Sequence, residues 1–207
     1  MFLDVNMGRR QFLRTALYGG TTVALVGALI LSSEYTELPG IGNEVQAGRA
    51  KNSIAAVVAG IVGQKLYGNS VIDLEIQKSL FTNARVTGDT TPNSVDTYVD
   101  LALTSVHFVG QNNSNGQLEG EVHKSEFNWK VKQTSENGYE IARWGAKFDG
   151  ALEITVKDGD ISGTYIRGGP HFNWKVNGAY DNSGSIKCEI DGPLNLGITL
   201  DGKITPK

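Results

Sequence analysis

The chain has 207 residues, with 19 lysines and arginines against 22 aspartates and glutamates, for a formal net charge of −3. A balance this even gives no argument for a nucleic-acid partner, which calls for a basic face. The single cysteine, Cys188, excludes an intrachain disulfide framework and a cysteine-based metal site.

The N-terminal segment reads as targeting. Gly8-Arg9-Arg10-Gln11-Phe12-Leu13-Arg14 precedes an uncharged run from Thr15 to Ser33. This resembles a twin-arginine export signal, with Gly8 where a serine or threonine is usual. The resemblance covers only residues 1–33 and implies export of a folded protein across a prokaryotic membrane. An ordinary signal or anchor with a basic flank is the alternative. Thr15–Ser33 is long enough to span a bilayer, and Val45-Gln46-Ala47 suits a signal peptidase. Basic residues before the run and Glu34 and Glu37 after it orient the C-terminal side outward. The expected location is therefore extracytoplasmic, whether the segment is cleaved or retained as an anchor.

Residues 34–52 read as a linker, with Pro39, Gly40 and Gly42 as breakers, and 53–207 as the folded domain. A domain of that size buries about 70% of its unfolded surface and needs no staples. Ile54, Val57, Val58, Ile61 and Val62 recur at helical spacing between Ser53 and Leu66, a segment placed to plug or cover one end of a sheet. Gly60 and Gly63 weaken the helix and leave a buried strand as the alternative.

Beyond it the period changes to two. Ser70–Val86 suggests one or two strands, and Gly88–Ser94 a polar turn. Val95, Val99, Leu101 and Leu103 change phase to Val106 and Phe108, which suggests a bulge near Ser105. Gly110–Gly116 reads as a polar loop, and Leu118–Val122 leads into Phe127-Asn128-Trp129-Lys130-Val131. That pentapeptide returns as Phe172-Asn173-Trp174-Lys175-Val176.

Asn137-Gly138 suggests a two-residue hairpin turn. It pairs Phe127 with Phe148, Trp129 with Ala146 and Val131 with Trp144, and leaves Lys132 opposite Arg143. By phase, the strand then runs through Gly150. Asp158-Gly159 as a second turn pairs Val156 with Ile161, Ile154 with Gly163 and Leu152 with Tyr165. Asn182-Ser183-Gly184 suits a three-residue loop pairing Tyr180 with Ile186, Gly178 with Cys188 and Val176 with Ile190. Gly192-Pro193 marks a bend. The expected fold is all-β: an antiparallel meander of about seven to nine strands, closed or half-closed into a barrel behind an N-terminal helix. A two-sheet sandwich is the runner-up.

Chemistry-bearing signals are few. His107, His123 and His171 lack metal-ligand spacing. Glu121 and His123 share a strand face and form a candidate acid–base pair, with a solvated face as the plainer reading. Asp158-Gly159-Asp160, Asp181-Asn182-Ser183-Gly184 and Asp201-Gly202 depart from calcium-loop spacing and suit turns. No cofactor motif is present. The outer stripe of Lys130, Lys132, Arg143 and Lys147 is a solvated face or a lipid-headgroup contact.

The aromatic set says more. Phe127, Trp129, Trp144, Phe148, Tyr165, Phe172, Trp174 and Tyr180 are assigned to one inner face, as a hydrophobic core or as the wall of a ligand cavity. The expected function is an exported or membrane-tethered, non-enzymatic β-domain that binds an apolar or amphipathic, lipid-like molecule. The alternatives are a structural or protein-interaction module of the cell envelope with a filled core, and an enzyme using a histidine–carboxylate pair. Replacing Arg9-Arg10 by Lys-Lys should leave the protein in the cytoplasm; cell fractionation showing normal export of the variant would exclude the twin-arginine route.

Overall fold

Alternating apolar and polar residues dictate strands with one buried face, and closing those strands on themselves removes the exposed edges. The computed structural model describes residues 41–77, 84–100, 105–123, 128–144, 150–168, 174–192 and 197–207. A helix, α1, spans Ile41–Tyr67. Twelve strands follow: β1 Ser70–Gln77, β2 Arg85–Thr91, β3 Ser94–Asp100, β4 Ser105–Asn112, β5 Leu118–His123, β6 Asn128–Gln133, β7 Gly138–Trp144, β8 Gly150–Lys157, β9 Asp160–Gly168, β10 Lys175–Tyr180, β11 Ser185–Asp191 and β12 Ile198–Pro206. Each pairs antiparallel with its sequence neighbours, and β12 returns to β1 to close the barrel.

The fold is thus the expected barrel rather than a sandwich, with more strands than the sequence suggests. Several expected single strands are pairs. The phase change near Ser105 is a reversal between β3 and β4, not a bulge. The strand does not run through Gly150 either, because β7 and β8 pair antiparallel. Phase argues against a reversal there only if the turn has two residues; a longer connection removes the constraint. The polar stretches at Gly88–Ser94 and Gly110–Gly116 also shrink. Gly88–Thr91 belongs to β2, and β4 runs to Asn112.

Inward positions are mostly apolar and outward ones mostly polar, as in β1 (buried at Ser70, Ile72, Leu74 and Ile76) and β11 (buried at Ile186, Cys188 and Ile190). Charged side chains such as Asp73, Glu75, Glu153, Lys187 and Glu189 stand on the exposed face. A barrel that crosses a bilayer needs the opposite arrangement, an apolar band outside. No helix among the described residues is long and apolar enough to cross a membrane.

The lumen holds α1. Every residue from Ala50 to Gly63 is buried, with no exposed stripe; a helix apolar on all sides belongs inside a core. At about 1.5 Å per residue its 27 residues extend roughly 40 Å. Strands of six to nine residues extend only about 20–30 Å. The helix packs mainly on β1–β4. Its glycines allow the close approach. A Cβ on Gly60 would lie 2.3 Å from Val95 Cγ1, and one on Gly63 2.8 Å from Ser70 Oγ. Thr97 Oγ1 donates to the Ala56 carbonyl at 2.9 Å.

The C-terminal end of α1 is tied across the barrel rim. Gln64 Nε2 donates to the Thr91 and Pro92 carbonyls, each at 3.3 Å. Lys65 Nζ donates to Asn137 Oδ1 at 2.8 Å, and Tyr67 Oη to the Asn182 carbonyl at 3.0 Å. The three partners lie in the β2–β3, β6–β7 and β10–β11 turns, four strands apart around the ring. Gly68, at φ 67°, ends the helix and donates to the Gln64 carbonyl at 2.9 Å, the left-handed cap that glycine favours.

Two expected registers are observed residue for residue. Asp158 and Gly159, both with positive φ, form the turn that pairs Val156 with Ile161 and Leu152 with Tyr165. Gly184 at φ 85° closes the loop pairing Tyr180 with Ile186 and Val176 with Ile190. The Asn137-Gly138 turn is different. Thr134 to Asn137 make a four-residue connection, with Thr134 N donating to the Gly138 carbonyl, and Gly138 lacks positive φ. Val131 therefore faces Ile141 rather than Trp144, which faces Asn128. The longer loop also removes the unfavourable Lys132–Arg143 pair: Lys132 lies between Glu119 and Glu140, an opposite-charge arrangement.

Gly60→Leu should lower stability in urea melts by about 1–3 kcal/mol, since a larger side chain there meets the β-branched, buried Val95. Leucine is the better helix former, so a stabilised variant would show that α1 does not press on β3.

Candidate functional site

The two ends of the lumen differ. At one, the C-terminal turn of α1 and the hairpin turns close the barrel. At the other, α1 leads out toward its N-terminus, and the wall is built from the start of β6 and β10 and the end of β9. The pentapeptide repeat marks that end. In both copies the tryptophan is buried, the following lysine exposed and the next valine buried (Trp129, Lys130, Val131; Trp174, Lys175, Val176). Trp129 and Trp174 are each 1% exposed. A Cβ on Gly192 would lie 2.2 Å from the Trp174 ring, so the backbone there lies flat on the indole. Tyr165, opposite Leu152, packs on the core from the same end.

Of the other expected site residues, Tyr180 belongs to the opposite end, near the α1 C-terminus, and packs on the core there. Trp144 ends β7, and its register position is described above. Phe127, Phe148 and Phe172 lie outside the described residues.

The lumen also holds polar groups that the strand pattern does not announce. Lys51 and Asn52 sit on α1 among apolar residues, each 1% exposed. Among the described residues, Lys51 Nζ and both polar atoms of the Asn52 side chain have no hydrogen-bond partner. The Lys51 ammonium lies 6.0 Å from the centroid of the Trp174 ring, at the limit of a cation–π contact. Burial pushes its pKa down from 10.5 to about 8, while the Asp191 carboxylate pulls the other way. Asp191 is exposed, and no ion pair joins the two. A buried ammonium with three donors and no acceptor is costly, so this end of the lumen has unfilled capacity to bind an acceptor or a negative charge.

Sequence reasoning misses these two because they fall in the stretch read as a linker. The available signal was the all-round apolar character of the helix: once such a helix is placed inside a barrel, its polar residues are interior too.

Glu121 and His123 share the exposed face of β5, as expected. On the outer wall, His107 Nε2 lies 2.7 Å from Asp96 Oδ1, and its ring stacks on Tyr98 with centroids 4.0 Å apart. His123 faces His107 across β4–β5, ring to ring at 6.1 Å. Among the described residues, the histidine–carboxylate contact is His107–Asp96, on the convex surface. His171 lies outside the described residues. Partial burial and the neighbouring Asp96 carboxylate raise the Tyr98 pKa.

The turn aspartates act locally. Asp181 Oδ1 accepts from Ser183 N, Ser183 Oγ and Ser185 N, bonds that lower its pKa, with the Ser183 hydroxyl first. No cluster of three metal-ligating side chains exists among the described residues. An outer groove of about 500 Å³ on β5–β7 sets Lys130 and Lys132 against Glu119, Glu121 and Glu140, a mixed-charge surface with no preferred sign. No family pattern, curated protein or solved structure matches the chain.

Lys51 gives stability a definite pH dependence. Between about pH 8 and 10.5 the unfolded chain holds this proton and the folded chain releases it, so stability rises with pH across that window. Below it, both states are charged and the burial penalty is present in full. Lys51→Met should remove this part of the rise and stabilise the protein at pH 7, by up to on the order of 3 kcal/mol. Urea melts at pH 7 and pH 10 check this; equal pH dependence in both proteins would mean that Lys51 is solvated.

Proposed function

We propose that the protein is an exported, non-enzymatic β-barrel that binds an apolar or amphipathic small molecule at the end of the lumen where α1 leads out. The observation that carries this reading is the pair of buried side chains there, Lys51 and Asn52, with hydrogen-bonding capacity unused inside an aromatic and aliphatic wall. Binding sites are mostly apolar surfaces with a few placed polar groups that orient the ligand. The export signal supports an extracytoplasmic location. If residues 15–33 are retained as an anchor, α1 directs this same end of the barrel toward the membrane.

A second reading is a filled-core structural module of the cell envelope. The near-complete burial of Trp129 and Trp174 within one continuous core supports it. The His107–Asp96 contact lies on a convex wall, so the enzyme reading gains little from it.

One variant separates the two leading readings. If Trp129 belongs to a ligand-bearing wall, Trp129→Ala should change the affinity of a solvent-sensitive apolar dye while leaving a cooperative urea melt, with wild type binding in the micromolar range, about −8 kcal/mol. In a filled core the same change should cost about 3–5 kcal/mol of stability, and the native protein should not bind the dye.

A further inference from the structure

The position of Lys51 narrows the ligand further, and this step rests on the ligand-binding reading above. Lysine has three donors and no acceptor. Here they sit in a lumen with 1% exposure and no hydrogen-bond partner among the described residues. A neutral guest or a water molecule would supply acceptors but leave the charge unbalanced. An anionic guest supplies both. Asp191, the carboxylate that acts on Lys51, stands on the exposed face at the end of β11, where its Oδ1 takes the space that a Cβ on Gly197 would need. It stabilises the ammonium from a distance and leaves its donors open.

Asn52 adds a second, independent observation. One residue along and about 100° around the helix, it leaves both a donor and an acceptor unused at the same depth. Unfilled polar capacity thus exists on two sides of α1 at this level. Beside it stands the Trp174 ring, its centroid 6.0 Å from the ammonium. A charged head against Lys51 and a hydrocarbon body against the wall match an amphiphile, whereas a small hydrophilic anion would leave the apolar wall unused. The far rim is tied to the α1 C-terminus through Gln64, Lys65 and Tyr67, so a guest on Lys51 would enter from the other end.

We propose that Lys51 is the anchor for the anionic head group, carboxylate or phosphate, of a single-chain amphiphile bound at this end of the barrel, with Asn52 as an accessory hydrogen-bonding group.

The test uses the full chain and four probes. The fluorescent polyene carboxylate cis-parinaric acid and its methyl ester share one hydrocarbon body and differ in charge. Wild type should bind the acid at least ten-fold more tightly than the ester. Lys51→Met should lose that preference, with affinity for the acid falling to that of the ester and ester binding unchanged. Lys51→Arg should retain it. Circular dichroism and a cooperative melt establish that each variant is folded, as expected for Lys51→Met, which removes an unpaired interior charge. Equal binding of acid and ester by wild type would overturn the anionic head group and leave the apolar-ligand reading standing. A preference that survives in Lys51→Met would overturn Lys51 as the anchor. Binding of neither probe would overturn the ligand-binding reading itself. Competition then distinguishes the source of the anion. Displacement of the bound acid by lysophosphatidate, but not by hexadecanoate, assigns a phosphate lipid, and the reverse assigns a free fatty acid; displacement by neither excludes both classes and overturns the proposal.

Discussion

The width of the lumen is the constraint on which the rest depends. Around eight strands, a barrel interior is just wide enough for its own side chains to fill. Twelve strands enclose more, and close-packed interiors do not tolerate empty space. This chain fills the excess with α1. The helix has no polar face because it has no solvent side: Ala50 to Gly63 is buried throughout. Barrel and helix therefore depend on each other. The helix lacks the amphipathic stripe of a surface helix, and without it the sheet would enclose a void.

The filling is asymmetric, and the asymmetry sets the chemistry. On β1–β4 the helix backbone presses against the wall through Gly60 and Gly63, with small or β-branched partners at Ser70, Thr90, Val95 and Thr97. Elsewhere large aromatics enter the core, among them Trp129, Tyr139 and Trp174. β4 is the exception: its Phe108 approaches Gly60 and lies over the flat backbone of Gly110 and Gly120, where a side chain would collide with the ring. Burial acts on ionisable groups as well as apolar ones. Tyr139 has its pKa raised to about 12, first by burial and then by Tyr180. The Cys188 thiol, which faces the core, is also pushed up to about 12 by burial and by Glu189, and so behaves as a small apolar group. Lys51 shows the same effect with the opposite sign. Among the described residues its burial penalty stands without a hydrogen-bond partner, and the functional reading starts from that imbalance.

How much was legible depended on turn chemistry. Asp158-Gly159 and Asn182-Ser183-Gly184 have loop lengths that leave one register, so β8–β9 and β10–β11 could be paired from the letters alone. Asn137-Gly138 carries the strongest short hairpin signal, yet the chain makes a four-residue connection there. Local turn preference is worth little beside placing Tyr139 and Ile141 inward, which bury to 3% and 0%, and setting Lys132 between two glutamates. The candidate site divides in the same way. Trp129 and Trp174 were legible as inward-facing from period two. Lys51 and Asn52 were not, because nothing nearby in sequence says that the helix carrying them lies inside a barrel.

The amino-acid sequence by itself determined the all-β class, the alternation of inner and outer faces, the helical segment ahead of the sheet and two of its hairpin registers. Each follows from interactions between residues close along the chain: side-chain periodicity, glycine at positive φ, and loop length. Only the tertiary structure decided the number of strands, the closure of β12 onto β1 and the passage of the helix through the lumen. Those depend on contacts between residues far apart, where filling a shared volume outweighs local preference. The buried ammonium belongs to the second group. A lysine becomes an interior charge through what surrounds it, and here the surroundings are strands that follow it in the chain.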